Sequence, residues 1–223
     1  MHKAQGAYAG PNNLVRGSAG KKGPGGGSLG FVLVPYDRPM AARLTAVRLP
    51  IPWDAFDLPN PLATRSTVLT TGEPAWRWSS GFPNLGIPQC DDPLGTAAPG
   101  WDLDHVVLLV PDLDAAIAIL VDTGAAARLR VVVRDRPTAF FRVGPLLEVI
   151  ESPVRAPALY GVALVTDEPL GVIALRWRSM GLDIADPRPA IQPGRRIMTV
   201  RAVEAGFAVM SPDGAVSSPH TPI

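Results

Sequence analysis

One strand–turn–helix pattern occurs twice in this chain, and the repeat limits the available folds more than any other feature. The first copy, Trp101–Leu120, reads WDLDHVVLLVPDLDAAIAIL. HVVLLV is an apolar run of strand length, expected to be buried on both faces. Asp112 suits a helix N-cap, Asp114 favours the first turn, and Leu113, Ile117, Leu120 and Val121 recur at helical spacing up to Gly124. Three strands follow: RLRVVVRD, TAFFRV and LLEVIE, with Gly144-Pro145 turning between the last two. The second copy, LYGVALVTDEPLGVIALRWRSMG, repeats the strand, the Val-x-Asp cap, the helix and the closing glycine at an offset of about 55 residues. RRIMTVR and GFAVM supply its last strands. The expectation is an α+β fold of paired βαβββ modules, module one over 101–153 and module two over 157–213, with a tail at 214–223.

Before Trp101 the text differs. The first 30 residues carry Lys3, Arg16, Lys21 and Lys22 with no acid, and GKKGPGGGS lacks the spacing of a phosphate loop. Prolines recur too often between 31 and 100 for long helices or central strands. Residues 1–100 are therefore expected to be a poorly ordered, Gly/Pro-rich extension, or the product of a start placed too far upstream. Composition closes several functional classes. Net charge is +1, which gives no electrostatic case for nucleic acid. No apolar run approaches a membrane span, and no secretory leader is visible, so a cytoplasmic location is expected. Cys90 is the single cysteine, which excludes an internal disulfide and a Cys-rich zinc site. The Arg-, Ala- and Pro-rich usage suits a GC-rich bacterial source.

LDHVVLLVPDLDAA at 103–116 and LLEVIE at 146–151 resemble the opening strand–helix and closing strand of the vicinal oxygen chelate superfamily. Its members include glyoxalase I, methylmalonyl-CoA epimerase, extradiol dioxygenases and the fosfomycin and bleomycin resistance proteins. PRPAIQPGRRIMTVR and GFAVMSP resemble the second half of small bacterial glyoxalase-like proteins. The resemblance covers roughly residues 101–213. It implies two modules curling a mixed sheet around a concave pocket, with ligands to a divalent metal (Zn, Fe, Ni, Co or Mn) from the first and last strands. His105 and Glu148 fall on those positions, Glu148 also as the catalytic carboxylate.

Strand parity supports the pair independently, since His105 and Glu148 each sit on an apolar strand face, where a lone polar group is costly. Such a metal would act as a Lewis acid in a lyase, isomerase or dioxygenase reaction on a small molecule. The second module offers no matching ligand. His105 aligns with Tyr160, and the strand matching Glu148 offers Phe207, Ala208 or Val209. Glu204 and His220 are weaker candidates, and a homodimer joining two half-sites is another way to complete the set. The bland alternatives are His105 meeting Asp102 or Asp104, and Glu148 meeting Arg142. Tyr160, Arg196 and Arg201 are the substrate-binding candidates, because guanidinium matches carboxylate or phosphate. Arg195 and Gln192 are lesser ones. A metal-free, ligand-sequestering protein of the bleomycin-resistance type is the alternative function.

Overall fold

The computed structural model describes residues 42–212. Its larger sheet has eight strands and carries the repeat. Five strands precede module one: β1 (Leu44–Leu49), β2 (Leu62–Ala63), β3 (Val68–Thr71), β4 (Ala75–Trp78) and β5 (Thr96–Ala97). Module one is β6 (Trp101–Val110), α1 (Leu113–Asp122), β7 (Ala127–Val133), β8 (Arg136–Arg142) and β9 (Leu146–Glu151). Module two is β10 (Ala158–Thr166), α2 (Leu170–Ser179), β11 (Arg188–Pro189), β12 (Arg196–Val200) and β13 (Gly206–Met210). The sheet order is β11-β12-β13-β10-β6-β9-β8-β7, which is the same sequence of roles read outward from the centre in both directions. The two first strands pair antiparallel, and each pairs parallel with the last strand of its own module. This is the paired-module, glyoxalase-like α+β architecture. Both modules of one chain contribute to one sheet.

Local sequence explains the elements. On β6, Val106, Leu108 and Val110 are wholly buried towards the helices, while His105, Val107 and Leu109 are half-buried or partly open on the other face. The strand is therefore two-sided, not buried on both faces as the apolar run suggested. Asp112 caps α1 through the Ala115 amide at 3.0 Å, and Leu113, Ala116 and Leu120 face the core. Gly124 then takes a φ of 83°, as a helix-closing glycine should. Glu151 accepts the Leu113 amide at 3.1 Å. α2 buries Leu170, Ile173, Ala174 and Trp177. Its N-cap is Pro169 and not Asp167, and Arg176 and Arg178 lie in its last turn, where cations suit the helix dipole.

The expectation of a poorly ordered stretch up to residue 100 does not hold for 42–100. These residues form a second sheet in the order β4-β1-β3-β2-β5, plus a 3₁₀ turn at Trp53–Phe56. They share one hydrophobic core with the modules. Trp53 meets Phe207 edge-on at 5.4 Å, and Phe56 meets both Trp177 and Phe207. The indole of Trp177 donates to the Phe56 carbonyl at 3.2 Å. Strands of two to six residues separated by prolines leave no long periodic signal, yet their aromatic side chains cover the helix-side face of the larger sheet. Residues 1–41 and the tail from 213 lie outside the described residues.

Candidate active site in the concave cleft

The face of the eight-stranded sheet opposite the helices lines a cleft of about 570 Å³, within the range of small-molecule sites. His105, Glu148, Thr199 and Met210 line it, from four different strands. β6 and β9 run parallel with Val107 beside Glu148 and His105 beside Leu146, so His105 and Glu148 are diagonal neighbours on one face. His105 Nε2 lies 3.4 Å from Glu148 Oε2, and the two side chains are only 13% and 15% exposed.

The other ring nitrogen is occupied. His105 Nδ1 lies 2.7 Å from Asp104 Oδ2. In a regular strand Asp104 would point to the opposite face from His105. Here the β6–β10 register slips between His105 and Leu103, leaving Asp104 as the extra residue of a bulge. The bulge turns its carboxylate beside the imidazole. Asp104 Oδ1 in turn accepts from Arg195 at 2.6 Å, and Arg195 also donates to the Ser211 carbonyl at 2.9 Å. Arg195 is 8% exposed. A chain of four charged or ionisable groups, Arg195–Asp104–His105–Glu148, thus crosses from module two into module one.

Electrostatics separates the two carboxyls. Burial alone would raise Asp104, but the hydrogen bonds and charges of His105 and Arg195 outweigh it and hold that carboxyl below the ordinary carboxylate range. Burial pushes Glu148 up; the His105 charge opposes this and the Asp104 charge adds to it, and the net shift is upward. Asp104 is therefore an ionised acceptor, which assigns the hydrogen of the neutral imidazole to Nδ1 and leaves Nε2 as a lone pair facing the cleft. Two carboxyls pushed apart around one imidazole are a common acid–base arrangement.

The remaining sequence candidates divide. Tyr160 lines the cleft and is 50% exposed at its lip, and Gln192 also lines it. Arg196 and Arg201 do not enter it. Arg196 shares the face of buried Met198, and its guanidinium donates to the Pro187 carbonyl at 2.6 Å. Arg201 follows the end of β12, with Asp183 at 3.7 Å. Arg142 sits opposite Leu146 and is exposed, while Glu148 meets His105. Glu204 lines a separate hollow with Tyr160 and Glu73. Cys90 is buried away from the cleft, beside Ala46 and Ala75. His220 lies outside the described residues. Asp104 and Arg195 are the members that sequence reasoning undervalued. The available signal was the second acid of DLDH, since a carboxylate adjacent to a strand histidine can be turned towards it by a bulge.

The repeat can now be aligned by pairing register. Val107 sits opposite Glu148, and Ala163 sits opposite Ala208. The alternation of buried residues matches Val107 to Ala163, so His105 corresponds to Gly161 and not to Tyr160, and Glu148 corresponds to Ala208. Nor could Gly161 be a larger residue without movement, as a Cβ there would overlap the Gly206 carbonyl. This decides how a metal fits. His105 and Glu148 supply two donors, and no group of three His, Cys, Asp or Glu side chains converges among the described residues. Catalytic metal sites ordinarily use three protein ligands. The donor set does not fit such a centre.

No family model and no curated protein matches the chain. Solved structures do. Methylmalonyl-CoA epimerase from Mycobacterium tuberculosis is 21% identical, covering 49% of this chain and 87% of that one, with a TM-score of 0.43. A Streptomyces coelicolor methylmalonyl-CoA epimerase in complex with 2-nitronate-propionyl-CoA is 17% identical over 50% of this chain and 96% of that one, at 0.41. A hypothetical protein from Bacillus halodurans is 14% identical over 50% and 94%, at 0.44. These are likenesses of architecture. The strand order of this chain itself shows the paired-module architecture. No described helix is long and apolar enough to cross a membrane.

Proposed function

We propose that the concave cleft binds a small organic molecule and that the His105–Glu148 pair moves a proton on it, in an isomerase- or lyase-type reaction. One observation carries this reading: His105 Nε2 faces Glu148 at 3.4 Å inside the cleft while Asp104 holds Nδ1 at 2.7 Å. The substrate would carry a C–H bond made acidic by a neighbouring carbonyl. One member of the pair takes that proton, and the electron pair moves onto the carbonyl oxygen as an enolate. A proton then returns to carbon from either member, or a β-leaving group departs instead. Proton transfer of this kind contributes roughly 10²–10⁴-fold. Tyr160, Gln192 and Thr199 line the same cleft and offer donors for the enolate oxygen. Asp104 and Arg195 fix the ring and its tautomer without touching substrate.

Deuterium washout by proton NMR tests the reading. A panel of 2-oxo acids, β-keto acids and acyl thioesters is incubated with the protein in D₂O, with and without EDTA. At least one compound is expected to exchange, insensitive to EDTA, with His105→Ala and Glu148→Gln each slowing exchange by about 10²-fold or more. Exchange that survives in His105→Ala would overturn the proposal, and exchange abolished by EDTA would restore the metal reading. The alternative, a ligand-sequestering protein, is favoured by the Gly161 and Ala208 positions, which leave module two without ligands. It requires compounds that raise the melting temperature yet show no exchange.

A further inference from the structure

The cleft has one acid and three arginines. Glu148 lies on the floor, while Arg134, Arg136 and Arg188 stand at the mouth. Register places them there. Arg136 pairs with Val133 and Arg188 pairs with Ile197, and both partners line the cleft, so both arginines project from that face. Arg134 occupies the two-residue turn joining β7 to β8. Arg134 and Asp135 take φ values of 48° and 63°, the left-handed conformation such a turn demands. That position favours Gly or Asn, and an arginine there costs about 1 kcal/mol of backbone strain. None of the three guanidinium groups pairs with a carboxylate among the described residues. Arg136 donates to Ser152 Oγ at 2.8 Å, which leaves its charge uncompensated. Some arginines outside the cleft are paired, Arg130 with Asp114, Arg176 with Glu168 and Arg178 with Asp186. Deeper in, Val107, Ile150, Ile197 and Met210 give an apolar wall.

We infer that the ligand is amphipathic and anionic: an apolar body lies on that wall, and a carboxylate, phosphate or sulfonate-like group sits at the mouth between the arginines of the two modules. This rests on reading the cleft as the ligand site and adds the class of ligand. Module one contributes Arg134 and Arg136 and module two Arg188, so the anion would bridge the halves. Guanidinium suits the task because it presents paired donors to paired oxygens.

Two fluorescent probes differing only by an anion test the inference. They are 8-anilinonaphthalene-1-sulfonate and the neutral N-phenyl-1-naphthylamine. The native chain is expected to bind the sulfonate at least about tenfold more tightly. The ε-methyl NMR signal of Met210 should shift on its addition while that of exposed Met180 stays. Arg134→Gln/Arg136→Gln/Arg188→Gln should weaken the sulfonate by about tenfold or more and leave the neutral probe within about twofold. Arg201→Gln, outside the cleft, should change neither. Equal affinity for the two probes in the native chain, an unmoved Met210 signal, or a triple variant that keeps its discrimination would overturn the inference. The neutral probe reports whether the triple variant still folds. The probes are not chemically altered, so discrimination without any deuterium washout would remove the proton-transfer reading and leave this one standing.

Discussion

The two modules share a strand plan and differ in what they place on it. Module one puts His105 and Glu148 at the centre of the concave face; module two puts Gly161 and Ala208 at the corresponding points. Module two is not idle. It sends Arg195 back across the sheet to Asp104, and Tyr160 and Arg188 to the cleft wall. A duplicated scaffold has thus diverged: one copy holds the His105–Glu148 pair, and the other braces Asp104 through Arg195 and lines the opening. The difference also leaves His105 and Glu148 without a matching donor from module two among the described residues.

Breaking the bridge between the modules should have the largest effect. Asp104→Asn removes the charge that accepts from both Arg195 and His105, and losing a charge-assisted hydrogen bond of this kind costs about 1.5–3 kcal/mol. Urea unfolding would measure it; a loss under about 1 kcal/mol would mean that the modules are not joined through this chain. Next in size is Gly161→Ala. The added methyl group meets the Gly206 carbonyl, and overpacking of this kind costs about 1–3 kcal/mol. A neutral result there would show that module two could have accepted a side chain at the ligand position.

Glu148→Gln should act in the opposite direction. Because Glu148 titrates above its ordinary value in the folded chain, the native state binds that proton more tightly than the unfolded one. The stability this provides is complete below the unfolded carboxylate range and is lost as pH rises through the raised folded value. Above that folded value the ionised carboxylate is a cost, so the glutamine variant should gain stability relative to the native chain as pH rises, with the gain vanishing in acid. A variant whose stability relative to the native chain falls as pH rises would show that Glu148 is a structural ion pair and not a strained functional group. Asp104 runs the other way. Its depressed carboxyl stabilises the fold above the ordinary carboxylate range, and that contribution is lost as pH falls through the folded value. The smallest effect belongs to Arg201→Ala, within about 0.5 kcal/mol, since its pairing with Asp183 is exposed.

What could be read in the sequence follows from the range of the interactions involved. The module pattern, the Asp112 cap and the placement of His105 and Glu148 on facing strands are local, set by parity and spacing. Asp104 needed a bulge, which the opposite strand imposes, and Arg195 reaches it across 91 residues of chain. No periodicity reports either. Between 42 and 100 the prolines concealed a sheet whose short strands are held by long-range burial, Trp53 and Phe56 against Phe207 above all. Arg196 and Arg201 looked suitable by charge alone, yet face and strand end decide access, and both fell outside the cleft.

The proton on His105 is the most direct test of the whole arrangement. Long-range ¹H–¹⁵N NMR of the imidazole distinguishes which nitrogen carries the hydrogen. With Asp104 as an ionised acceptor, the neutral ring should carry it on Nδ1, with Nε2 unprotonated towards Glu148, and Asp104→Asn should disturb that preference. A neutral ring protonated on Nε2, or one whose tautomer is indifferent to Asp104, would contradict the orienting chain and the chemistry built on it.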